Sequence, residues 1–411
     1  MEKQLQKIDA VLYELIQKEI QRQQDTIDLI PSESLVSTAL LEALGSPLTN
    51  KYSEGEVGKR YYPGNEYCDQ IESLAKQRAK QAFGLGDDWE ANVQALSGSP
   101  ANLAVYFGLL QVGETMMGMA LSSGGHLTHG HKVNASGKVF KSVQYEVGID
   151  GKIDYEKVAE LAREHKPKII ISGYTAYPLK IDFAKFGEIA KEVGAYHLAD
   201  ISHIAGLVSA NCHPLPFPFA DVVTMTTHKT LNGPRGAVIL AKKELMDKIN
   251  RAIFPGLQGG PHNHQTAAIA FTLGQVKTSA FLQTQKQIIL NAKTLADSLI
   301  EKGFNLVAGG TENHLLLVDL RSKNISGMEA QNLLEKAGLI ANRNTVPGDP
   351  SPFNPSGVRM GSPVMTFRGM KEGEAKMIGE WIDRVITQRE NPEQIKLEVV
   401  DLCSRFKVPY V

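Results

Sequence analysis

The sequence predicts an α/β fold built on a mainly parallel sheet with helices on both faces. The first observation behind this is alternation: between about residues 67 and 274, short apolar runs alternate with amphipathic helical segments. The second is the character of the runs. Ile169-Ile-Ile-Ser172 carries no polar alternation, as expected of a strand covered on both faces. The third is a change of pattern after about Lys277, where a long helix leads into a region of mixed strands and helices. The expected organisation is an N-terminal helix and extended arm over residues 1–64, a large α/β domain over 65–276 and a smaller α+β domain over 277–411.

Leu5, Ile8, Leu12, Leu15, Ile16 and Ile20 recur at helical spacing and define an amphipathic first helix. Residues 25–64 are polar and Gly-rich, with "LIPSES" and "NKYSEGEVGKRYYPG", and have little to build a core from. Such a segment must lean on its own body or on a partner subunit. Residues 101–110 read as a helix opened by Ser97-Gly-Ser-Pro, and 155–165 as another. Strand 169–172 follows, then helix 183–193 stopped by Gly194, strand 195–200, strand 222–226 and strand 237–240. The long helix spans 281–302; beyond it come a strand at 313–319 and helices at 328–337 and 372–386.

Composition narrows the function. Lys and Arg (44) and Asp and Glu (45) cancel, so no long-range field recruits nucleic acid or an anionic membrane. No apolar run approaches the ~18 residues of a membrane span. The start Met1-Glu-Lys-Gln-Leu-Gln-Lys lacks a signal-peptide apolar region. The cysteines, Cys68, Cys212 and Cys403, are odd in number and far apart, which suits a reducing, cytoplasmic setting.

The chemistry concentrates at strand ends, where ligands of open parallel sheets bind. Tyr174 and Thr175 follow one strand, Asp200 and His203 a second, Thr226, His228 and Lys229 a third. A lone lysine at a strand end is ordinarily solvated. A carboxylate, an imidazole and an amine at one sheet edge instead suit a cationic aromatic cofactor bonded to lysine, and pyridoxal phosphate meets that description. Ser97, Gly98 and Ser99 open a helix, where backbone N–H groups can cradle the phosphate.

The stretches "TTHKTLNGPRGA", "LADISHIAGLV", "SGSPANLAVY", "GGHLTHGH", "NKYSEGEVGKRYYPGNEY", "FPGLQGGPH" and "SGVRMGSP" closely resemble the serine hydroxymethyltransferase family, in the family's order, over about residues 21–380. The resemblance implies fold type I of the pyridoxal-phosphate transferases, with a seven-stranded sheet, and a homodimer with shared active sites. It also implies conversion of L-serine and tetrahydrofolate to glycine and 5,10-methylenetetrahydrofolate. By it, Lys229 bonds the cofactor, Asp200 pairs with the pyridinium nitrogen, His203 contacts the phenolic oxygen and His126 stacks on the ring. Thr175, Thr226 and His228 lie beside the cofactor, while Gly259 and Gly260, with Tyr52, reach the neighbouring subunit's site. Ser32, Tyr62 and Arg359 would hold the amino acid. Tyr61 and Glu54 belong to the tyrosine-rich loop, with Glu54 the proton-transfer carboxylate. Asn344, Ser351 and Phe353 would meet the folate.

Several positions depart from the family pattern: Ser34 in "SES", Ala95-Leu96-Ser97, Ile201-Ser202 before His203, Leu257 in the glycine loop and Phe367 before Arg368. None is the lysine, the aspartate or Arg359. Other readings fare worse. His126, His129 and His131 lack the converging ligands of a zinc site, so no metal is expected. The His262-Asn-His264 run lacks a nuclease's metal-binding surroundings. A folate-independent aldolase of β-hydroxy amino acids is the alternative enzyme, and a catalytically silent binding protein on the same fold the alternative class.

Overall fold

The computed structural model describes residues 2–350 and 353–411. Its main sheet has seven strands: β1 (Trp89–Asn92), β2 (Thr115–Met119), β3 (Lys141–Tyr145), β4 (Ile169–Ser172), β5 (Tyr196–Asp200), β6 (Val222–Thr226) and β7 (Ala237–Lys242). They lie in the order β1-β7-β6-β5-β4-β2-β3. Every neighbouring pair from β6 to β3 is parallel, whereas β7 runs antiparallel to both β6 and β1. The sheet is therefore mainly parallel, with one reversed strand.

Burial on both faces follows from the strand sequences. In β4, Ile170 packs into one core while Ile169 and Ile171 pack into the other. In β7, Val238 and Leu240 face the first core and Ala237, Ile239 and Ala241 the second. Alternate residues thus point to opposite apolar layers, which is why these strands read as unbroken apolar runs. Helices Tyr155–His165 and Phe183–Val193 are both N-capped by aspartates, Asp154 and Asp182, and the second ends on Gly194 at φ 68°.

A second, four-stranded antiparallel sheet joins β8 (Asn305–Leu306), β9 (Leu315–Asp319), β10 (Asn342–Asn344) and β11 (Gly357–Gly361) in the order β8-β9-β11-β10. Helices Gly327–Lys336, Glu372–Ile386 and Pro392–Arg405 cover it and share its core. Helix Ser279–Glu301 reaches both halves, with Ile288 in the first core and Leu295, Ala296 and Leu299 in the second. The polar segment after the first helix also sends apolar residues inward: Ile27 and Leu29 enter the second core, and Ile27–Asp28 pairs in parallel with Leu339–Ile340.

The halves meet along a polar seam. Asn313 Nδ2 donates to the carbonyls of Tyr177 and Leu179 at 3.0 and 3.2 Å, and the Glu312 amide donates to Pro178 O at 2.9 Å. Arg359, on β11, donates from Nη1 to Thr175 O at 2.6 Å. These contacts bring the second sheet to the loop that follows β4.

The first helix is two helices, Glu2–Ile8 and Ala10–Asp25, broken at Asp9, whose carboxylate accepts from the Leu12 amide. A capping carboxylate stops one helix and starts the next, a break that apolar spacing does not register. Among its side chains, Ile8, Val11 and Leu15 are 82, 71 and 57 % exposed. Among the described residues no helix is long and apolar enough to cross a membrane.

Candidate functional site

The parallel strands place their carboxyl ends, and the loops beyond them, along one edge of the main sheet. Asp200 closes β5 and lies in register with Thr224 of β6, so the chain reaches Lys229 five residues further along the neighbouring strand. Helix Gly98–Leu109 points its start at the same edge. Both Lys229 and Asp200 line one pocket there, together with Gly98, Asn102, His126, Thr175, His203 and Thr226.

Asp200 is nearly enclosed and fully partnered. Asn102 Nδ2 donates to Oδ2 at 2.9 Å, His129 Nε2 lies 3.2 Å from the same oxygen, and the Ser202 amide donates to Oδ1 at 3.0 Å. Burial alone would raise its pKa; the hydrogen bond from His129, joined by that from Ser202, outweighs burial and holds it well below the usual carboxylate range. Asn102 is itself fixed, accepting from Thr224 at 2.7 Å and donating to Thr128 at 2.9 Å. Thr128 Oγ1 in turn sits 2.7 Å from His126 Nδ1, which orients that ring. Burial lowers the His126 pKa to about 4, so the ring is neutral near pH 7.

Lys229 is held by its loop. Asn232 donates to the Lys229 carbonyl at 2.9 Å, Gly233 to Thr227 O at 2.8 Å, and Thr230 Oγ1 to His203 O at 2.9 Å. Burial lowers the Lys229 pKa to about 8, against the pull of Asp200 and with the push of Arg359 and Arg235. A substantial fraction of the amine is therefore unprotonated, and nucleophilic, just above neutral pH. His228 Nε2 lies 3.0 Å from Arg235 Nη1, and burial takes its pKa to about 3.

The wider pocket, about 490 Å³, adds Ser32, Glu33, Ser97, Ser99, His228, Arg235, Asn344 and Arg359. Ser97 starts its helix with no side-chain cap, which leaves the first amides of the helix for an anion. A Cβ added to Gly98 would stand 2.7 Å from Thr226 Cγ2, so only glycine allows the helix start to come this close to β6. Arg359 is oriented by Thr175 O and, from Nε, by Asn342 Oδ1 at 3.1 Å. Burial brings its pKa down to about 10, leaving it a cation at neutral pH.

The remaining candidates lie outside this pocket. Tyr52, Tyr61 and Tyr62 are 55, 74 and 46 % exposed. The Tyr52 and Tyr62 rings meet edge-on at 5.2 Å, and the nearby Glu54 carboxylate raises the Tyr52 pKa. A Cβ on Gly259 would stand 3.2 Å from Glu54 Oε1, and one on Gly260 3.5 Å from Glu54 Cγ, so these residues form a second, surface cluster. Arg60 braces it by donating to Ser53 O at 3.0 Å and Gly55 O at 2.5 Å, either side of Glu54, while pairing with Glu72 at 2.6 Å. Phe353 is 95 % exposed, and Ser351 lies outside the described residues.

A family profile described as serine hydroxymethyltransferase matches residues 5–382. The chain is 53 % identical over 409 residues to a serine hydroxymethyltransferase of Desulfotalea psychrophila, covering 98 % of this chain and 96 % of the relative. It is 51 % identical to those of Acidothermus cellulolyticus and Sorangium cellulosum, with the same coverage. The chain belongs to the serine hydroxymethyltransferase family. Pyridoxal phosphate is the cofactor of serine hydroxymethyltransferases, and tetrahydrofolate their co-substrate. The pocket fits the cofactor: an uncapped helix start with a glycine cradle for the phosphate, a buried carboxylate for the ring nitrogen and a buried amine for the aldehyde. Sequence reasoning passed over Asn102, Thr128, Ser202 and Glu33. All four stood within stretches already singled out, and a polar residue one turn inside an apolar helix is the signal that marks Asn102. Among the described residues, no group of three His, Cys, Asp or Glu side chains is arranged to hold a metal ion.

Proposed function

We propose that Lys229 anchors pyridoxal phosphate in a pocket that a second copy of the chain completes. The reaction is the reversible conversion of L-serine and tetrahydrofolate to glycine and 5,10-methylenetetrahydrofolate. The observation that carries the assignment of residues is the pairing of a buried Lys229 and a buried, ionised Asp200 in one pocket beneath an uncapped helix start.

When bound, pyridoxal phosphate supplies an electron-withdrawing ring that weakens bonds at the amino acid's α-carbon. Asp200, kept ionised by Asn102, His129 and Ser202, holds a proton at the ring nitrogen. Ser97, Gly98 and Ser99 would hold the phosphate, and His126 would cover the ring face. Thr175, Thr226 and His228 pack beside it. Arg359 receives the amino acid's carboxylate with its plane already set by Thr175 and Asn342, and Ser32 lies beside it. Asn344, which lines the wider pocket, would contact the folate, as would Phe353.

The proposal of a second copy is supported by what the single-chain pocket lacks. Tyr52, Glu54, Tyr61, Tyr62, Gly259 and Gly260 cluster away from Lys229 on an exposed surface, and Val11 and Leu15 leave an apolar face uncovered. Docked across a dimer, that cluster would bring Glu54 to move a proton at the hydroxymethyl group and the aromatic rings to exclude water. Three unbridged cysteines suit a cytoplasmic setting.

The test is spectroscopic and chemical. The protein with pyridoxal phosphate gains a visible absorption band that Lys229→Ala abolishes with far-UV circular dichroism unchanged. Glycine formation from serine rises on adding tetrahydrofolate; no stimulation by folate would make the enzyme a folate-independent aldolase.

A further inference from the structure

His314 stands immediately before β9, in the half of the molecule opposite Lys229, and is fully buried. Its Nε2 lies 3.2 Å from His203 Nδ1, across the seam that Asn313 ties to the loop after β4. Its other nitrogen, Nδ1, is buried and has no hydrogen-bond partner among the described residues. Burial lowers the pKa of both rings, with Lys229 and Arg359 adding to it, so each ring is neutral and carries one N–H.

Only one proton can sit between the rings, and there are two ways to place it. If His203 Nδ1 donated, His314 would keep its hydrogen on Nδ1, an orphaned donor in the core. If His314 Nε2 donates, the orphan is an acceptor lone pair instead. Buried unmet N–H groups are the rarer and costlier of the two. The second arrangement leaves His203 with its hydrogen on Nε2, the nitrogen not engaged by His314. We propose that His314 is a positioning residue: by donating to His203 Nδ1, it fixes His203 as a neutral Nε2–H donor to the group bound in the Lys229 pocket. This rests on the reading of that pocket as the cofactor site.

The donor so fixed would serve the phenolic oxygen of a bound cofactor without adding a charge to the pocket. It also makes the tautomer depend on β9 staying docked, because the proton that selects it comes from the other half of the molecule.

Nitrogen NMR of the pyridoxal-phosphate-loaded protein, labelled with ¹⁵N-histidine and assigned with His203→Asn and His314→Phe variants, tests this. The expected result is an N–H shift at Nε2 of both rings and a lone-pair shift at Nδ1 of both. A hydrogen on His203 Nδ1 overturns it. His314→Phe is expected to shift the cofactor's absorption maximum and weaken its binding about tenfold, the worth of roughly one hydrogen bond. His314→Gln, which returns a donor to the Nε2 position, is expected to restore the maximum; a packing role alone would not be repaired this way. If His203→Asn leaves the cofactor's absorption unmoved, the pocket reading fails, whereas the tautomer assignment stands on the nitrogen shifts.

Discussion

Lys229 combines two demands that oppose each other: a buried amine is reactive because it is badly solvated. Its pKa falls to about 8 from 10.5, burial being the largest cause. Below pH 8 the folded protein carries the full penalty of a buried cation. Between about 8 and 10.5 it has lost a proton that the unfolded chain still holds, so stability rises with pH. In the cofactor-free protein, Lys229→Met is therefore expected to stabilise at pH 7 by on the order of 3 kcal/mol, with the gain shrinking by pH 10. Denaturant midpoints at the two pH values measure it; a gain that grew with pH would reverse the sign and sink the argument.

At the scale of elements, the close approach of helix Gly98–Leu109 to β6 builds the anion cradle. A methyl on Gly98 would meet Thr226 Cγ2 at 2.7 Å. Gly98→Ala is expected to push the helix start outward and weaken pyridoxal phosphate binding by about 1–3 kcal/mol. Adding Thr226→Ser, which removes that Cγ2 and keeps the hydroxyl, should recover most of the loss in an absorbance titration. How much of this was legible in the sequence depended on burial. The apolar runs of β4, β5, β6 and β7 declared themselves because both faces are covered. Burial was not sufficient: β1 (Trp89–Asn92) and β2 (Thr115–Met119) are also mostly buried, yet Glu90 and Asn92 in the one and Gly118 in the other break the apolar run, while the edge strand β3 (Lys141–Tyr145) is mostly exposed. Motif residues such as Asp200, His203, Lys229 and Arg359 could be placed at one pocket from strand ends and resemblance. The partners that set their protonation could not: His129 is three residues from His126 yet bonds Asp200, and His314 is 111 residues from His203. Such contacts are made by topology, which no local spacing encodes.

For the whole molecule, the separation of Glu54 from the Lys229 pocket sets the expectation. Mixing Lys229→Ala chains with Glu54→Gln chains should create hybrid dimers holding one pocket with both residues intact. Partial activity is expected to return on mixing, and its absence in hybrids verified by mass would refute sharing. A different consequence attaches to helix Ser279–Glu301. Ile288 belongs to one apolar interior and Leu295 and Leu299 to the other, while Gln285 donates to Thr230 O at 2.8 Å, one residue past the reactive amine. Any gene-level cut within those 23 residues would strip one half of its lining. This enzyme is thus poor material for dissection into separately cloned pieces, since the rod that joins its halves is also a wall of each.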